Sequence, residues 1–88
     1  MALQTFSGHP YLISQSVRPG GAAGDHQVPS IRAGDTLVSV RHVSGDFVTN
    51  ADLTSEFSIP AGTVETINNA AGTDTTGDFL IVTFARQP

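Results

Sequence analysis

The chain has 88 residues, with four Arg against eight Asp and Glu, three His, a formal charge of −4 and no Lys, Cys or Trp. That length holds one domain. The absence of Cys excludes a disulfide framework, a thiolate nucleophile and a Cys-ligated metal, and an acidic chain with four scattered Arg suits nucleic acid poorly, because such affinity rests on neutralising phosphates. Gly, Pro, Ser, Thr, Asn and Asp together make up 41 residues, against 25 apolar residues larger than Ala. That balance fits short strands joined by many turns and argues against a helical bundle. No run approaches the ~18 consecutive apolar residues of a bilayer span. Residues 1–15 lack the basic flank, long apolar run and small-residue cleavage site of a signal peptide, so no membrane association is expected.

In chain order, Leu3 to Phe6 and Tyr11 to Val17 form two short apolar segments separated by Gly8-His9-Pro10. In the second, Tyr11, Ile13 and Val17 share a parity, which predicts a half-buried strand. Between Arg18 and Ser30 the only large apolar residue is Val28, among Pro19, Gly20, Gly21, Gly24 and Pro29. A segment so poor in apolar side chains does not offset its own ordering entropy, which predicts a flexible arm or loop. The expected division is therefore residues 1–30, N-terminal strand or strands and a flexible Gly/Pro-rich segment, and residues 31–88, a β domain.

Thr36 to Val43 is the strongest strand signal, rich in β-branched residues and introduced by the turn Ala33-Gly34-Asp35. Alternation puts Val38, Val40 and His42 on one face, and Ser39 and Arg41 on the other with Leu37 and Val43. Ser44-Gly45-Asp46 has hairpin chemistry and leads into Phe47-Val48-Thr49. Leu53 to Ile59 alternates, predicting a strand with Leu53, Phe57 and Ile59 inward; a short helical turn over Asp52 to Phe57 is the alternative. Pro60-Ala61-Gly62 breaks that run and Thr63 to Ile67 is the return strand. Asn68 to Asp78 has no large apolar residue and reads as a surface loop. Phe79 to Phe84 is apolar at both parities, which predicts a strand buried on both faces. Gly34-Asp35 and Gly77-Asp78 each precede a core strand, an echo that generic turn chemistry accounts for, with a duplicated half-sandwich as the alternative. The expected fold is all-β: a small single-domain β-sandwich or jelly-roll-like barrel of six to seven strands, with an extended N-terminal segment.

Chemistry is sparse in this pattern. His9, His26 and His42 lie 17 and 16 residues apart without Cys support, unlike the close spacing of metal-ligating histidines. His9 and His26 read as exposed loop residues and His42 as a strand-end residue. No Ser occupies a Gly-x-Ser-x-Gly turn, and Asp35, Asp46 and Asp78, each after Gly, read as turn caps. Asp74 to Asp78 lacks the ligand alternation of a calcium loop. No phosphate cradle is present, and without Trp an aromatic sugar platform is hard to furnish. The expectation is a non-enzymatic protein with no cofactor, no metal site and no catalytic residues. Binding would run through surface and shape, with Leu3, Phe6, Tyr11, Arg18, Val28 and Arg32 as contact residues and Arg18 to Ser30 ordering on a partner.

Three stretches carry a likeness: Ala33-Gly34-Asp35-Thr36-Leu37-Val38-Ser39-Val40-Arg41-His42-Val43, then Asp52-Leu53-Thr54-Ser55-Glu56-Phe57-Ser58-Ile59, then Ile67 to Asp78 with the apolar final strand. In style and order, over residues 31–84, this chain resembles the head decoration or cement proteins of tailed bacteriophages. The resemblance rests on no family-defining functional motif. It implies a virion protein on the capsid exterior, assembled in the host cytoplasm. The expected partner is the major capsid protein, and the protein often forms a homotrimer that clamps neighbouring capsomers. The alternative expectation is a tail- or fibre-associated module recognising a host glycan or receptor.

Overall fold

The computed structural model of the chain describes residues 12–70 and 72–86. These form seven strands: β1 (Leu12–Pro19), β2 (Gly24–Arg32), β3 (Thr36–Val43), β4 (Asn50–Asp52), β5 (Phe57–Ser58), β6 (Val64–Asn69) and β7 (Phe79–Arg86). A 3-10 turn, Thr54–Glu56, precedes β5. The chain is all-β. Its strands make two sheets in the orders β1-β7-β3-β4 and β2-β6-β5, and every pairing is antiparallel.

The sheets face each other across one apolar core. Val40, Leu80, Val82 and Phe84 come from the larger sheet; Val28, Ile31, Phe57 and Ile67 come from the smaller, and Leu53 fills in beside them. Strand β7 organises the larger sheet because it lies between β1 and β3. Its alternate residues Leu80, Val82 and Phe84 point into the core, as period-2 geometry requires. Phe79, Ile81, Thr83 and Ala85 therefore belong to the opposite, outer face. The expectation that β7 is buried on both sides holds for the inner face; outside, Phe79 remains 43% exposed.

Four further expectations change. Strand β2 runs across the expected boundary between residues 30 and 31, and the segment read as a flexible arm is part of the sandwich. Val28 and Ile31 are both completely buried. They sit three apart because the register with β6 breaks between Gln27 and Arg32, where Pro29 and positive-φ Ser30 turn the chain. A count of apolar residues missed this order because its stabilisation is non-local: two filled core positions, and buried Thr75 clamping the turn before β2. Thr75 N donates to Gly21 O at 2.9 Å, and Gly21 N donates to Thr75 Oγ1 at 3.0 Å.

Strand β1 differs in the opposite sense: Ile13 and Val17, expected inward, are 63% and 61% exposed, because they point to the outer face, where no second layer lies among the described residues. In β3, Val38 is skipped by the register between Leu37 and Ser39. This bulge returns Leu37 and Val40 to the core side and leaves Val38 half exposed. The expected strand Leu53 to Ile59 is instead a 3-10 turn over Thr54–Glu56 followed by the two-residue strand β5. Asp52 Oδ1 accepts the Thr54 N–H at 2.9 Å, while Thr54 Oγ1 accepts the Val40 N–H at 3.0 Å. These side chains replace a sheet ladder locally. Leu53 and Phe57 still reach the core.

Candidate functional site

Several exposed apolar side chains, Ile13, Val17 and Phe79 among them, lie on the outer face of the four-stranded sheet. The β1–β7 register sets Ile13 opposite Ala85, Val17 opposite Ile81 and Pro19 opposite Phe79; the β3–β7 register sets Val43 opposite Phe79. All these residues share one side; Pro19, Phe79 and Val43 form an apolar row three strands wide with Val17 and Ile81 beside it, and the polar row Gln15, Thr83 and Ser39 separates them from Ile13 and Ala85. At one end the β3–β4 hairpin brings Phe47 over the apolar row. Its loop is held by Asp46, whose carboxylate accepts from the Ser44 hydroxyl at 2.6 Å and the Val48 N–H at 3.0 Å. Phe47 itself adopts a φ of 64° and is 77% exposed. Val17, Val43, Phe47, Phe79 and Ile81 together line an open depression of about 280 Å³ with no polar residue in its wall. A contiguous apolar surface of this kind marks an interaction site more often than scattered single exposures do. The sequence signal for it was the double-parity apolar character of β7, which leaves the uncovered side apolar too.

The polar groups are arranged differently. His42 Nε2 lies 2.8 Å from Asp78 Oδ2; a carboxylate only accepts, so the imidazole donates from Nε2. The pair is an orienting couple without a third member: among the described residues no hydroxyl is hydrogen-bonded to the other ring nitrogen, and a nucleophile would need one there. His26, expected in an exposed loop, is buried; its Nε2 lies 3.0 Å from Ala22 O and its ring meets Phe57 edge-on at 5.6 Å. Asp35 is gripped by Arg86, whose Nε and Nη2 donate to its two oxygens at 2.8 and 2.9 Å. That hydrogen-bonded guanidinium, together with the Arg32 N–H, holds the Asp35 carboxyl below the usual range, and the hydrogen bond to Asp35 raises Arg86 above its own. Asp46, Asp52 and Asp74 are also lowered, by the hydroxyls and then the backbone N–H groups of the turns they cap. The turn-cap reading thus describes Asp46 and also Asp35, whose Oδ2 accepts the Arg32 N–H at 2.9 Å while the same carboxylate holds Arg86; Asp78 instead holds His42. Among the described residues no three His, Cys, Asp or Glu side chains gather as metal ligands. Among the described residues no helix is long and apolar enough to cross a membrane.

Of the contact residues expected from sequence, the three that are described, Arg18, Val28 and Arg32, do not converge on one surface. Leu3, Phe6 and Tyr11 lie outside the described residues, as does His9. Arg18 belongs to β1 and ties the two sheets together, its Nε donating to Gln27 O at 3.1 Å. Val28 is a core residue and has no surface to offer a partner. Arg32 is exposed and borders a second depression, of about 260 Å³, with Ser30, Ile31, Val64, Glu65 and Arg86. Several polar groups there are committed to one another: Ser30 N donates to Glu65 Oε2 at 2.8 Å, and Arg86 holds Ser30 O as well as Asp35. That depression therefore closes the end of the sandwich, whereas the depression around Phe79 has no internal partner. Comparisons with protein-family models, with curated proteins and with solved structures each find no match.

Proposed function

We propose that the chain is a non-enzymatic virion structural protein that fastens to the outside of a tailed-phage capsid, docking the outer face of its four-stranded sheet on the major capsid protein. Two independent lines support this reading. The virion context comes from the resemblance over residues 31–84. The docking mode is carried by one observation, the apolar depression formed by Val17, Val43, Phe47, Phe79 and Ile81. A single apolar or aromatic side chain of the shell protein would seat there, and the neighbouring sheet surface would exclude water around that anchor. Asn50 and Asp52 of β4, with Arg41 beside them, supply a polar rim.

The test is reconstitution. Particles made without the protein should disrupt at a lower temperature than complete ones and should recover when the purified protein is added. The double variant Phe47→Ser, Phe79→Ser should keep its fold by circular dichroism and bind the particles roughly 100-fold more weakly, as loss of central anchors does. Particles that are equally heat-resistant without the protein, and that fail to bind it, would refute the capsid role.

A further inference from the structure

A sheet edge is a row of unpaired N–H and C=O groups, and proteins ordinarily blunt such edges with bulges, proline, shortness or lysine. Three of the four edges here are treated that way. Strand β2 is broken by the bulge between Gln27 and Arg32, which contains Pro29. Strand β4 has three residues, and β5 has two and is followed closely by Pro60. Strand β1 is the exception. It runs for eight residues in unbroken register with β7, the chain has no Lys, and among the described residues no strand pairs with its other side.

The direction of its backbone groups follows from one hydrogen bond. Gly20 N donates to Asp78 O at 2.8 Å, and Gly20 continues the register in which Pro19 faces Phe79. Even-numbered residues of β1 therefore exchange hydrogen bonds with β7, and odd-numbered ones turn their N–H and C=O groups outward. Ile13, Gln15 and Val17 each present both groups to the free edge. Pro19 presents only a carbonyl, so the residue without an N–H sits where no ladder bond with β7 is lost.

We propose that this edge pairs with β1 of a second copy of the chain, antiparallel, about a two-fold axis through Gln15. This goes beyond the capsid reading and does not depend on it. In that register Ile13 faces Val17 of the other copy, Gln15 faces Gln15, and Val17 faces Ile13. All three outward-facing residues that possess an N–H are used, and each facing pair exchanges two backbone hydrogen bonds. The side chains match as well. The apolar pairs meet on the outer face, the two Gln15 amides are self-complementary donors and acceptors, and the only charge on the strand, Arg18, faces Leu12 rather than its own copy. Because facing residues share parity, the two outer faces lie on the same side. The dimer has one eight-stranded sheet bearing both apolar depressions, an isologous arrangement that closes on itself.

The chain contains no Cys, so Gln15→Cys places one thiol at the axis, where facing Cα atoms in a hydrogen-bonded antiparallel pair lie about 5.5 Å apart, within disulfide range. Under mild oxidation this variant should cross-link nearly completely, and Val48→Cys, on an equally solvent-open loop, should not. Light scattering of the unmodified full chain should give twice its 9.2 kDa. Gln15→Pro removes an outward-facing backbone donor and the exposed Gln15 Nε2–Thr83 Oγ1 hydrogen bond but no ladder bond to β7, so it should leave the sheet signal by circular dichroism intact and weaken the dimer roughly tenfold or more, with Gln15→Ala, which removes the side-chain bond alone, keeping the dimer. A monomer at all concentrations would overturn the proposal, including one in which residues 1–11 cover the edge; so would a trimer, or equal cross-linking of both Cys variants.

Discussion

Strands β1 and β2 are neighbours in the chain, similar in length, and each forms the edge of its own sheet. Strand β1 is the more regular, yet Leu12, Ile13 and Val17 are all more than half exposed. Strand β2 is interrupted by Pro29 and by a residue at positive φ, yet it delivers Val28 and Ile31 into the centre of the core. Burial here follows from which element the strand faces. β2 looks directly onto Val40, Val82 and their neighbours, while the outward side chains of β1 look away from the second sheet. Irregularity is tolerated in β2 because its bulge turns two apolar side chains inward and its backbone groups find other partners, such as Glu65 for Ser30 N. A regular strand is left bare in β1, which is the state expected of an edge that has something to pair with.

The sharpest way to break the contrast is matched truncation. Ile31→Ala in β2 should cost about 2–5 kcal/mol, by lost transfer energy and a residual cavity, and lower the melting temperature by roughly 10 °C or more. Ile13→Ala in β1 should stay within about 0.5 kcal/mol. Both should be measured by thermal denaturation at low protein concentration, where association does not contribute. Equal losses would mean that β1 is covered after all.

The junction between the two strands gives the next effect. A Cβ on Gly20 would stand 2.0 Å from Thr75 O, so Gly20→Ala must push apart the clamp that orders the entry to β2. The expected loss is about 1–3 kcal/mol, and urea denaturation should show it. Gly34→Ala, with nothing near its Cβ position, serves as the neutral comparison.

The smallest effect concerns pH, at the far end of β2, where Arg86 joins Ser30 O to Asp35. The Asp35 carboxyl is held below its ordinary 3.8 in the folded chain. Its contribution is therefore complete above the unfolded value and disappears as pH falls through the folded one. Stability should decline on acidification below about pH 4–5, and Asp35→Asn should make that decline shallower while lowering stability at neutral pH. Asp46, Asp52 and Asp74 are lowered in the same direction, so the decline in the variant should persist in part.

Much of the fold was legible in the residues. Thr36 to Val43 is a strand as its β-branched run requires, the Ser44-Gly45-Asp46 hairpin forms, and Thr63 to Ile67 overlaps β6. Leu53 and Phe57 were found as core residues even though the element between them is a 3-10 turn, because a single short turn also returns residues four apart to one side. What escaped was whatever depended on an irregularity or a distant partner. The Val38 bulge and the break in β2 each shift parity, and a period-2 pattern has no memory of where the period slips. His42 with Asp78 and Asp35 with Arg86 are 36 and 51 residues apart, and nothing local connects them. The apolar outer face was half legible: β7 announced itself as apolar on both sides, but the exposure of one side depends on the absence of a covering layer there among the described residues.

By itself, then, the sequence determined the strand-rich class, the positions of the turns and most of the side chains that fill the core, because these follow from local conformational preference and from the scarcity of large apolar residues. The tertiary structure decided which of two neighbouring strands is buried, which carboxylates find cations, and where the uncovered apolar surface lies. Those outcomes depend on which element packs over which, and that is set by pairings between residues far apart in the chain.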